Sequence, residues 1–196
     1  MVKSVILDMG NVLLSFTPQI PLNAYCKTEE EKEIVQKALF DSSYWHDADR
    51  GLIKDADLFE LVKQTVAPEH HEALEQCCAH WDICMQPIDG AREFCQYLKI
   101  RGYEVYVLSN ASDKFYDYFK NFLPLDFFDG VVVSSDIKMM KPDHEIFEYV
   151  MSKYHLNKAE CLFVDDSLAN VESARAFGMQ AYQFQGNFDT IKKEYL

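Results

Sequence analysis

Four short apolar runs in this sequence each end in polar residues, and this recurrence constrains the fold more than any other feature. The runs and the residues that follow them are 4–7 before Asp8, 104–108 before Ser109 and Asn110, 131–133 before Ser134, and 161–164 before Asp165 and Asp166. Continuous apolar runs, without alternation, predict strands that are covered on both faces. Because the carboxyl ends of parallel strands lie at one edge of a sheet, we expect the polar residues to meet there.

Helical patterns lie around and between the later runs. The predicted helices cover residues 91–100, 115–122, 145–154 and 168–177, and Gly178 is suited to end the last of them. Alternating strands and helices predict an α/β fold with a Rossmann-like parallel sheet and right-handed crossovers.

The segment between Leu14 and Gly90 breaks this alternation and contains no convincing strand. A capping box that starts at Thr28 predicts one helix, and a first-turn proline at Pro68 predicts another. We therefore expect two units in the chain. Residues 1–15 and 90–196 are predicted to form the Rossmann-like core, and residues 16–89 an all-helical cap inserted after the first strand.

The net charge and hydropathy of the chain exclude some classes of binding partner. The chain has 32 acidic and 19 basic side chains, a net charge of −13, and no run of five or more Lys or Arg. Such a chain is repelled by nucleic acid and by anionic lipid surfaces. No apolar stretch approaches the ~18 residues that a membrane span needs. We predict neither a nucleic-acid nor a membrane partner, and the residues carry no prediction of oligomeric state.

The cysteine pattern and the start of the chain indicate a reducing compartment. Six cysteines are present without a CxxC spacing, and two of them, Cys77 and Cys78, are adjacent. A chain of this size does not need disulfides, so reduced thiols are expected. The apolar stretch before Asp8 is too short for a signal peptide. These features predict a cytoplasmic protein.

The predicted sheet edge has the composition of a phosphate and metal site. The carboxylates of Asp8, Asp165 and Asp166 would repel one another there unless a cation intervenes. Oxygen ligands favour a hard ion such as Mg²⁺, which binds through a few carboxylates and substrate phosphate. No GxGxxG or GxxxxGK motif is present, which excludes nucleotide loops of those kinds.

The remaining polar groups suit a transferring phosphoryl group. Lys141 supplies positive charge, Ser109 and Asn110 supply donors, and the main-chain N–H groups around Met9 and Gly10 can form an anion-binding concavity. With these groups on the phosphoryl oxygens, Asp8 is placed to attack phosphorus and form an aspartyl-phosphate that water later hydrolyses.

Four motifs in register resemble those of the haloacid dehalogenase superfamily of hydrolases. They are Asp8-Met9-Gly10-Asn11-Val12, Ser109-Asn110, Lys141-Pro142-Asp143 and Asp165-Asp166, and they span nearly the whole chain. Within the superfamily the chain is most similar to bacterial α-glucose-1-phosphate phosphatases and to the N-terminal phosphatase domain of soluble epoxide hydrolases. The segment Asp49-Arg50-Gly51-Leu52-Ile53 also carries that closer likeness.

The resemblance implies a role for each motif residue. Asp8 is implied as nucleophile and metal ligand, and the Gly10 carbonyl and Asp166 as further Mg²⁺ ligands. Asp165 is implied to support the site, either by binding the ion directly or by contacting the residues that bind it. The phosphoryl group is expected to be held by Met9, Gly10, Ser109, Asn110 and Lys141, with Lys141 also acting in catalysis. The implied reaction is Mg²⁺-dependent hydrolysis of a small phosphorylated metabolite, with sugar phosphates among the candidates.

One position departs from the family pattern. Most family phosphatases have an acid two residues after the nucleophile, where this chain has Gly10, and general acid catalysis contributes ~100- to 10,000-fold. Three explanations stay open: a good leaving group, a proton donor in the cap such as His46 or Asp47, or poor phosphatase activity. Two alternatives follow, namely a 2-haloacid dehalogenase-type hydrolase and a non-catalytic phosphate-binding relative. The pair Asp165 and Asp166 argues against the first, because that reaction needs no metal.

Overall fold

The computed structural model covers residues 1–196 and forms an α/β fold. The strands are β1 (Ser4–Leu7), β2 (Leu14–Ser15), β3 (Gln86–Pro87), β4 (Glu104–Ser109), β5 (Gly130–Val133), β6 (Cys161–Asp165) and β7 (Gln180–Gln183). The helices are α1 (Gln19–Tyr25), α2 (Glu29–Val35), α3 (Ser43–Asp49), α4 (Leu58–Val62), α5 (His71–His80), α6 (Ala91–Ile100), α7 (Phe115–Phe119), α8 (Ser134–Ile137), α9 (His144–Tyr154), α10 (Leu168–Phe177) and α11 (Phe188–Glu194).

The main sheet has five parallel strands in the order β5-β4-β1-β6-β7. The chain runs from β1 outward through β4 to β5, and then crosses to the other side of β1 for β6 and β7. Strand β1 therefore lies at the point where the strand order reverses. Ligands of open α/β sheets bind in the crevice beyond the strand ends at that point. The fold confirms the predicted Rossmann-like architecture.

Both faces of the sheet are buried, which explains the continuous apolar runs. Val5 and Leu7 of β1 point into one hydrophobic cluster, which also contains Phe94 of α6. Ile6 points into the other, which contains Phe147 of α9. A strand with alternate residues in two apolar clusters has no polar face, and this is the pattern of a strand covered on both sides.

Helices α1–α5 form the block that interrupts the alternation. Thr28 caps α2 through a hydrogen bond from the Glu31 N–H to the Thr28 hydroxyl (3.1 Å), and the Glu31 carboxylate accepts from the Lys27 N–H (2.6 Å). The Thr28 hydroxyl satisfies one donor that the helix start leaves free, and the Glu31 carboxylate holds the residue before the cap. The apolar faces of the helices, including Val35 of α2 and Leu74 of α5, join the same cluster as one face of the sheet.

The expectation that this segment contains no strand is wrong. Strands β2 and β3 pair antiparallel, with Leu14 opposite Pro87 and Ser15 opposite Gln86. Two-residue strands are too short to leave a pattern in the sequence, since several alternating or apolar residues are needed for recognition. Because β2 and β3 flank the helical block, we propose that they form the neck between the core (residues 1–15 and 90–196) and the cap (16–89).

Two further elements differ from expectation. Strand β7, Gln180–Gln183, is an edge strand that the sequence analysis did not identify, because two of its four residues are glutamines. Helix α7 ends at Phe119, earlier than the predicted residue 122. None of the helices combines the length and the apolar composition that a bilayer crossing requires. All six cysteines are buried free thiols.

Candidate active site

Three acidic side chains meet at the carboxyl edge of the sheet. Asp8 follows β1 directly, Asp165 is the last residue of the neighbouring strand β6, and Asp166 comes next. One carboxylate oxygen from each lies within 4.8 Å of the others. The prediction that these strand ends converge is therefore confirmed, and the cluster concentrates negative charge at one point.

The Lys141 ammonium joins this anionic cluster. Its Nζ lies 2.7 Å from Asp8 Oδ1 and 2.7 Å from Asp165 Oδ2, and it donates to the carbonyl oxygen of Leu108 at 2.9 Å. The side chain is fully enclosed, with 1% of it exposed. A buried ammonium that makes three charge-assisted or carbonyl contacts is held in one geometry.

Asn110 positions Lys141 from the end of β4. The Lys141 N–H donates to Asn110 Oδ1 (3.0 Å), and Asn110 Nδ2 donates to the Lys141 carbonyl (2.9 Å). The neighbouring Ser109 hydroxyl is buried and has no hydrogen-bond partner within the protein. An unsatisfied buried hydroxyl costs free energy, so it is a candidate donor for a bound ligand.

Burial and neighbouring charges shift the pKa values of this group in opposite ways. Burial raises the pKa of Asp8 to about 7, although the Lys141 ammonium acts to lower it. Burial alone lowers the pKa of Lys141, but the attraction of Asp8 and Asp165 outweighs burial and raises it. Lys141 is therefore charged at neutral pH.

Asp165 and Asp166 differ in how many of their oxygens are already engaged. Asp165 accepts from Lys141 Nζ, from the Ser167 N–H (2.8 Å) and, on both oxygens, from Asn170 Nδ2 (3.0 Å each). Asp166 accepts one contact, from Asn11 Nδ2 (3.0 Å), and lines a cavity that Asp165 does not reach. Asp165 is thus placed to hold Lys141, and Asp166 to face a ligand.

The loop after β1 shapes the floor of this cavity. The Met9 N–H donates to Asp8 Oδ1 at 2.7 Å, and Asn11 adopts a left-handed conformation with φ 53°. At Gly10 an added Cβ meets nothing within 4 Å. Gly10 is therefore not required by crowding, and space for a larger side chain is open beside the nucleophile candidate.

The cavity has a volume of about 180 Å³ and lies between the sheet edge and the helical block. It is lined by Asp8, Met9, Gly10, Asn11, Asn110, Ala111, Tyr118 and Asp166 on one side and by Phe16, Trp45, Asp49, Trp81 and Met85 on the other. A larger cavity of about 550 Å³, beside Asp117 and Glu60, contains none of the strand-end residues, so the chemistry belongs to the smaller one.

Asp49 is a site residue that the sequence analysis missed as such. It lines the cavity from α3, and burial together with the repulsion of Asp55 raises its pKa to about 7. The two proton donors suggested from the sequence, His46 and Asp47, do not line the cavity. They lie on the side of α3 that faces solvent, with side chains 57% and 40% exposed. The segment from Asp49 to Ile53, which carries the closer family likeness, was the sequence feature that could have pointed to Asp49.

Comparison with known proteins identifies the family. Residues 2–178 match the haloacid dehalogenase-like hydrolases. The chain belongs to this family. Its enzyme class is therefore hydrolase, and the resemblance of the four motifs is confirmed. The closer likeness to α-glucose-1-phosphate phosphatases and epoxide hydrolase domains stays a prediction.

Two curated proteins align with this chain along most of their length. A sesquiterpene phosphatase from Aspergillus oryzae is 28% identical over 90% of this chain and 87% of its own. A D-ribitol-5-phosphate phosphatase from Bacteroides thetaiotaomicron is 21% identical, over 96% of this chain and 95% of its own.

A solved structure shares the fold. A haloacid dehalogenase family enzyme from Bacteroides thetaiotaomicron, in complex with magnesium and inorganic phosphate, superposes with a TM-score of 0.72. The two sequences are 22% identical, and the match covers 95% of this chain and 96% of the other.

Proposed function

We propose that this protein is a Mg²⁺-dependent phosphatase that hydrolyses a small phosphomonoester through an aspartyl-phosphate on Asp8. The observation that carries the proposal is the meeting of three carboxylates within 4.8 Å of one another, with a buried ammonium against Asp8. That arrangement has a nucleophile, a place for a cation and a fixed positive charge for phosphoryl oxygens.

The residues at the sheet edge fit a hard divalent cation. Three carboxylates share a single ammonium, so negative charge is left uncompensated beside a cavity. The donor set is oxygen only, which suits Mg²⁺ better than a softer metal. Asp8, Asp166 and the Gly10 carbonyl are the groups that we expect to hold the ion. When bound, Mg²⁺ supplies electrostatic stabilisation of the phosphoryl oxygens.

The protein's own side chains account for the rest of the chemistry. Asp8 attacks phosphorus, since it lies on the floor of the cavity at the end of the central strand. Lys141 lies against Asp8 and neutralises charge that develops on the phosphoryl oxygens. The unpartnered Ser109 hydroxyl and the Gly10 N–H are expected to donate to the same oxygens, whereas the Met9 N–H is already bonded to Asp8 Oδ1.

The two alternatives differ in what they leave unexplained. A haloacid dehalogenase-type reaction at carbon has no use for Asp166, which is free on the cavity side and pairs with Asn11 alone. A non-catalytic phosphate-binding protein has no use for a buried carboxylate held against an ammonium. Two of the relatives that align with at least 90% of this chain are themselves named phosphatases, which supports hydrolysis of a phosphate ester.

The cavity indicates what the alcohol part of the substrate looks like. Phe16, Trp45, Trp81 and Met85 form most of its outer wall. Such a wall favours an organic group with an apolar face, and both a pyranose ring and a short isoprenoid chain present one. A volume of about 180 Å³ restricts that group to a small size.

A substrate panel tests the proposed function. We expect phosphate release from at least one class among sugar phosphates, polyol phosphates and short isoprenyl phosphates, with Mg²⁺ present and not with EDTA. Halide release from 2-haloacids is measured in parallel. Hydrolysis that EDTA does not affect, or halide release in place of phosphate release, contradicts the proposal.

Magnesium binding by Asp166 gives a test that does not depend on turnover. Asp166→Asn is expected to weaken the affinity for Mg²⁺ by at least about 10-fold, because a ligand charge is removed from the site. Isothermal titration with Mg²⁺ alone measures this, and Asp89→Asn, an exposed acid outside the cavity, serves as the control. Equal affinities in wild type and Asp166→Asn exclude Asp166 as a ligand.

A further inference from the structure

One acid in the cavity has no part in the anionic cluster. The cavity is lined by three acidic side chains, and Asp8 and Asp166 are both cluster members. The third, Asp49, is the last residue of α3 in the helical block. It lines the same cavity from the opposite wall. There we expect it to face the alcohol part of the substrate, on the side away from the residues that bind the phosphoryl oxygens.

The end of α3 is docked onto the sheet edge by three contacts around Asp49. The Ser134 hydroxyl donates to the Asp49 carbonyl oxygen, and the Arg50 guanidinium lies 3.3 Å from the Asp143 carboxylate. Gly51 has φ 72°, and a Cβ there would overlap the main chain of Ser135. Only glycine permits this close approach. These contacts hold Asp49 over the cavity.

Asp49 keeps a proton at a pH where most carboxyls have lost theirs. Burial is the larger cause of its raised pKa, and the repulsion of Asp55 adds to it, while the Ser112 N–H opposes both. The other charged or titratable groups around it are Asp8, Asp166 and Tyr118 in the cavity wall, Lys114 beside Asp55, and Arg50, which directly follows α3. A carboxyl with a pKa near 7 is well matched to proton transfer at neutral pH.

Hydrolysis of an alkyl phosphate needs a proton at the leaving oxygen. An alkoxide is a poor leaving group. The residue with open space beside the nucleophile is Gly10, and it has no side chain that could donate a proton. Building on the proposed function, we propose that Asp49 is the general acid that protonates the leaving alcohol, and the general base for the water that follows.

The two half-reactions balance through this one side chain. An Asp8 oxygen bonds to phosphorus as the bond from phosphorus to the ester oxygen breaks. The electron pair of that bond stays on the leaving oxygen, which takes the Asp49 proton and departs as the alcohol. Asp49, now ionised, removes a proton from the water that attacks the aspartyl-phosphate. Phosphate leaves, Asp8 is restored as a carboxylate, and Asp49 is protonated again.

Leaving-group dependence tests Asp49 directly. In Asp49→Asn we expect kcat/KM for n-butyl phosphate to fall ~100- to 10,000-fold, the contribution of a general acid. With p-nitrophenyl phosphate, whose leaving group needs no proton, kcat/KM is expected to change by less than about 10-fold on the same reasoning. The decline of wild-type kcat/KM for butyl phosphate above pH about 7, which Asp49 ionisation causes, is expected to disappear in the variant.

Two further variants separate catalysis from structure. Asp47→Asn lies on the same helix outside the cavity and is expected to match wild type with both esters. Gly10→Asp places a carboxyl in open space beside the nucleophile, so in the Asp49→Asn background it is expected to restore part of the butyl phosphate activity. Asp49→Asn itself should fold, because the amide has nearly the same shape as the protonated carboxyl that it replaces and adds no buried charge.

The outcomes distinguish this proposal from the proposed function. Three results for Asp49→Asn overturn the assignment of Asp49: an equal loss of kcat/KM with both esters, no loss with either, or an unchanged pH profile. None of them contradicts the proposal that the protein is a phosphatase. Wild-type protein that hydrolyses neither ester with Mg²⁺ present overturns the proposed function itself.

Discussion

Asp8→Asn is expected to abolish turnover while leaving the fold intact. The amide has the same shape and is far less nucleophilic than the carboxylate, so no aspartyl-phosphate forms. Loss of a covalent nucleophile costs on the order of 10⁴- to 10⁶-fold in kcat. Steady-state kinetics on the best substrate of the panel, with Mg²⁺ saturating, measures the effect.

The control for Asp8→Asn is an acid outside the site. Asp89→Asn, exposed and distant from the cavity, is expected to keep wild-type kcat. A thermal unfolding midpoint for Asp8→Asn at or above that of wild type shows that the fold is kept, since a charge buried to 8% exposure has been removed. Full metal-dependent turnover by Asp8→Asn means that another residue is the nucleophile.

Lys141→Met is expected to be the most destabilising substitution in the site. Lys141 is the ammonium that both Asp8 and Asp165 contact at 2.7 Å, and its side chain is 1% exposed. Methionine fills the space but leaves two buried carboxylates without their cation. Removing one partner of a buried ion pair costs about 3–5 kcal/mol of unfolding free energy. Urea denaturation followed by circular dichroism measures the loss.

The same substitution removes charge from the phosphoryl site, so activity falls in any folded fraction by about 10²- to 10³-fold. Lys27→Met is the matched control, because Lys27 makes an ion pair of similar length (2.8 Å to Glu72) at the exposed surface. It is expected to leave the urea midpoint unchanged. If Lys141→Met is as stable as Lys27→Met, the ammonium does not hold the acidic cluster together.

The strands that carry the site were predictable because each is covered on both faces. Val5 and Ile6 of β1 have no solvent-facing side, and the resulting apolar run marks the strand whatever lies around it. The end of the run then predicts the position of the residue that follows the strand, Asp8, to within one residue. Short or exposed strands leave no such run, and β2, β3 and β7 were missed for that reason.

The residues at the sheet edge were predictable for a topological reason. Parallel strands end on one side of a sheet, so the order of strands and helices alone predicts that Asp8, Asn110 and Asp165 lie near one another. The hydrogen bonds and ion pairs that these side chains make could not be predicted in the same way. That Asp165 is saturated by Lys141 and Asn170, whereas Asp166 faces the cavity, depends on side-chain rotamers at two adjacent positions.

The position of Asp49 was not predictable from local pattern. His46, Asp47 and Asp49 are three polar residues within one short helix, and the sequence does not say which of them faces the core. The choice is made by tertiary contacts, namely the hydrogen bond from Ser134 and the close approach of Gly51 to Ser135. These join segments more than 80 residues apart in the sequence.

Acid quenching during turnover, followed by peptide mass spectrometry, tests the central claim most directly. With Mg²⁺ and substrate present, we expect one phosphoryl group on the peptide that contains Asp8, removable by hydroxylamine and absent in Asp8→Asn. A protein that releases phosphate at a steady rate with no phosphoryl group on Asp8, or with one on a different residue, contradicts the account.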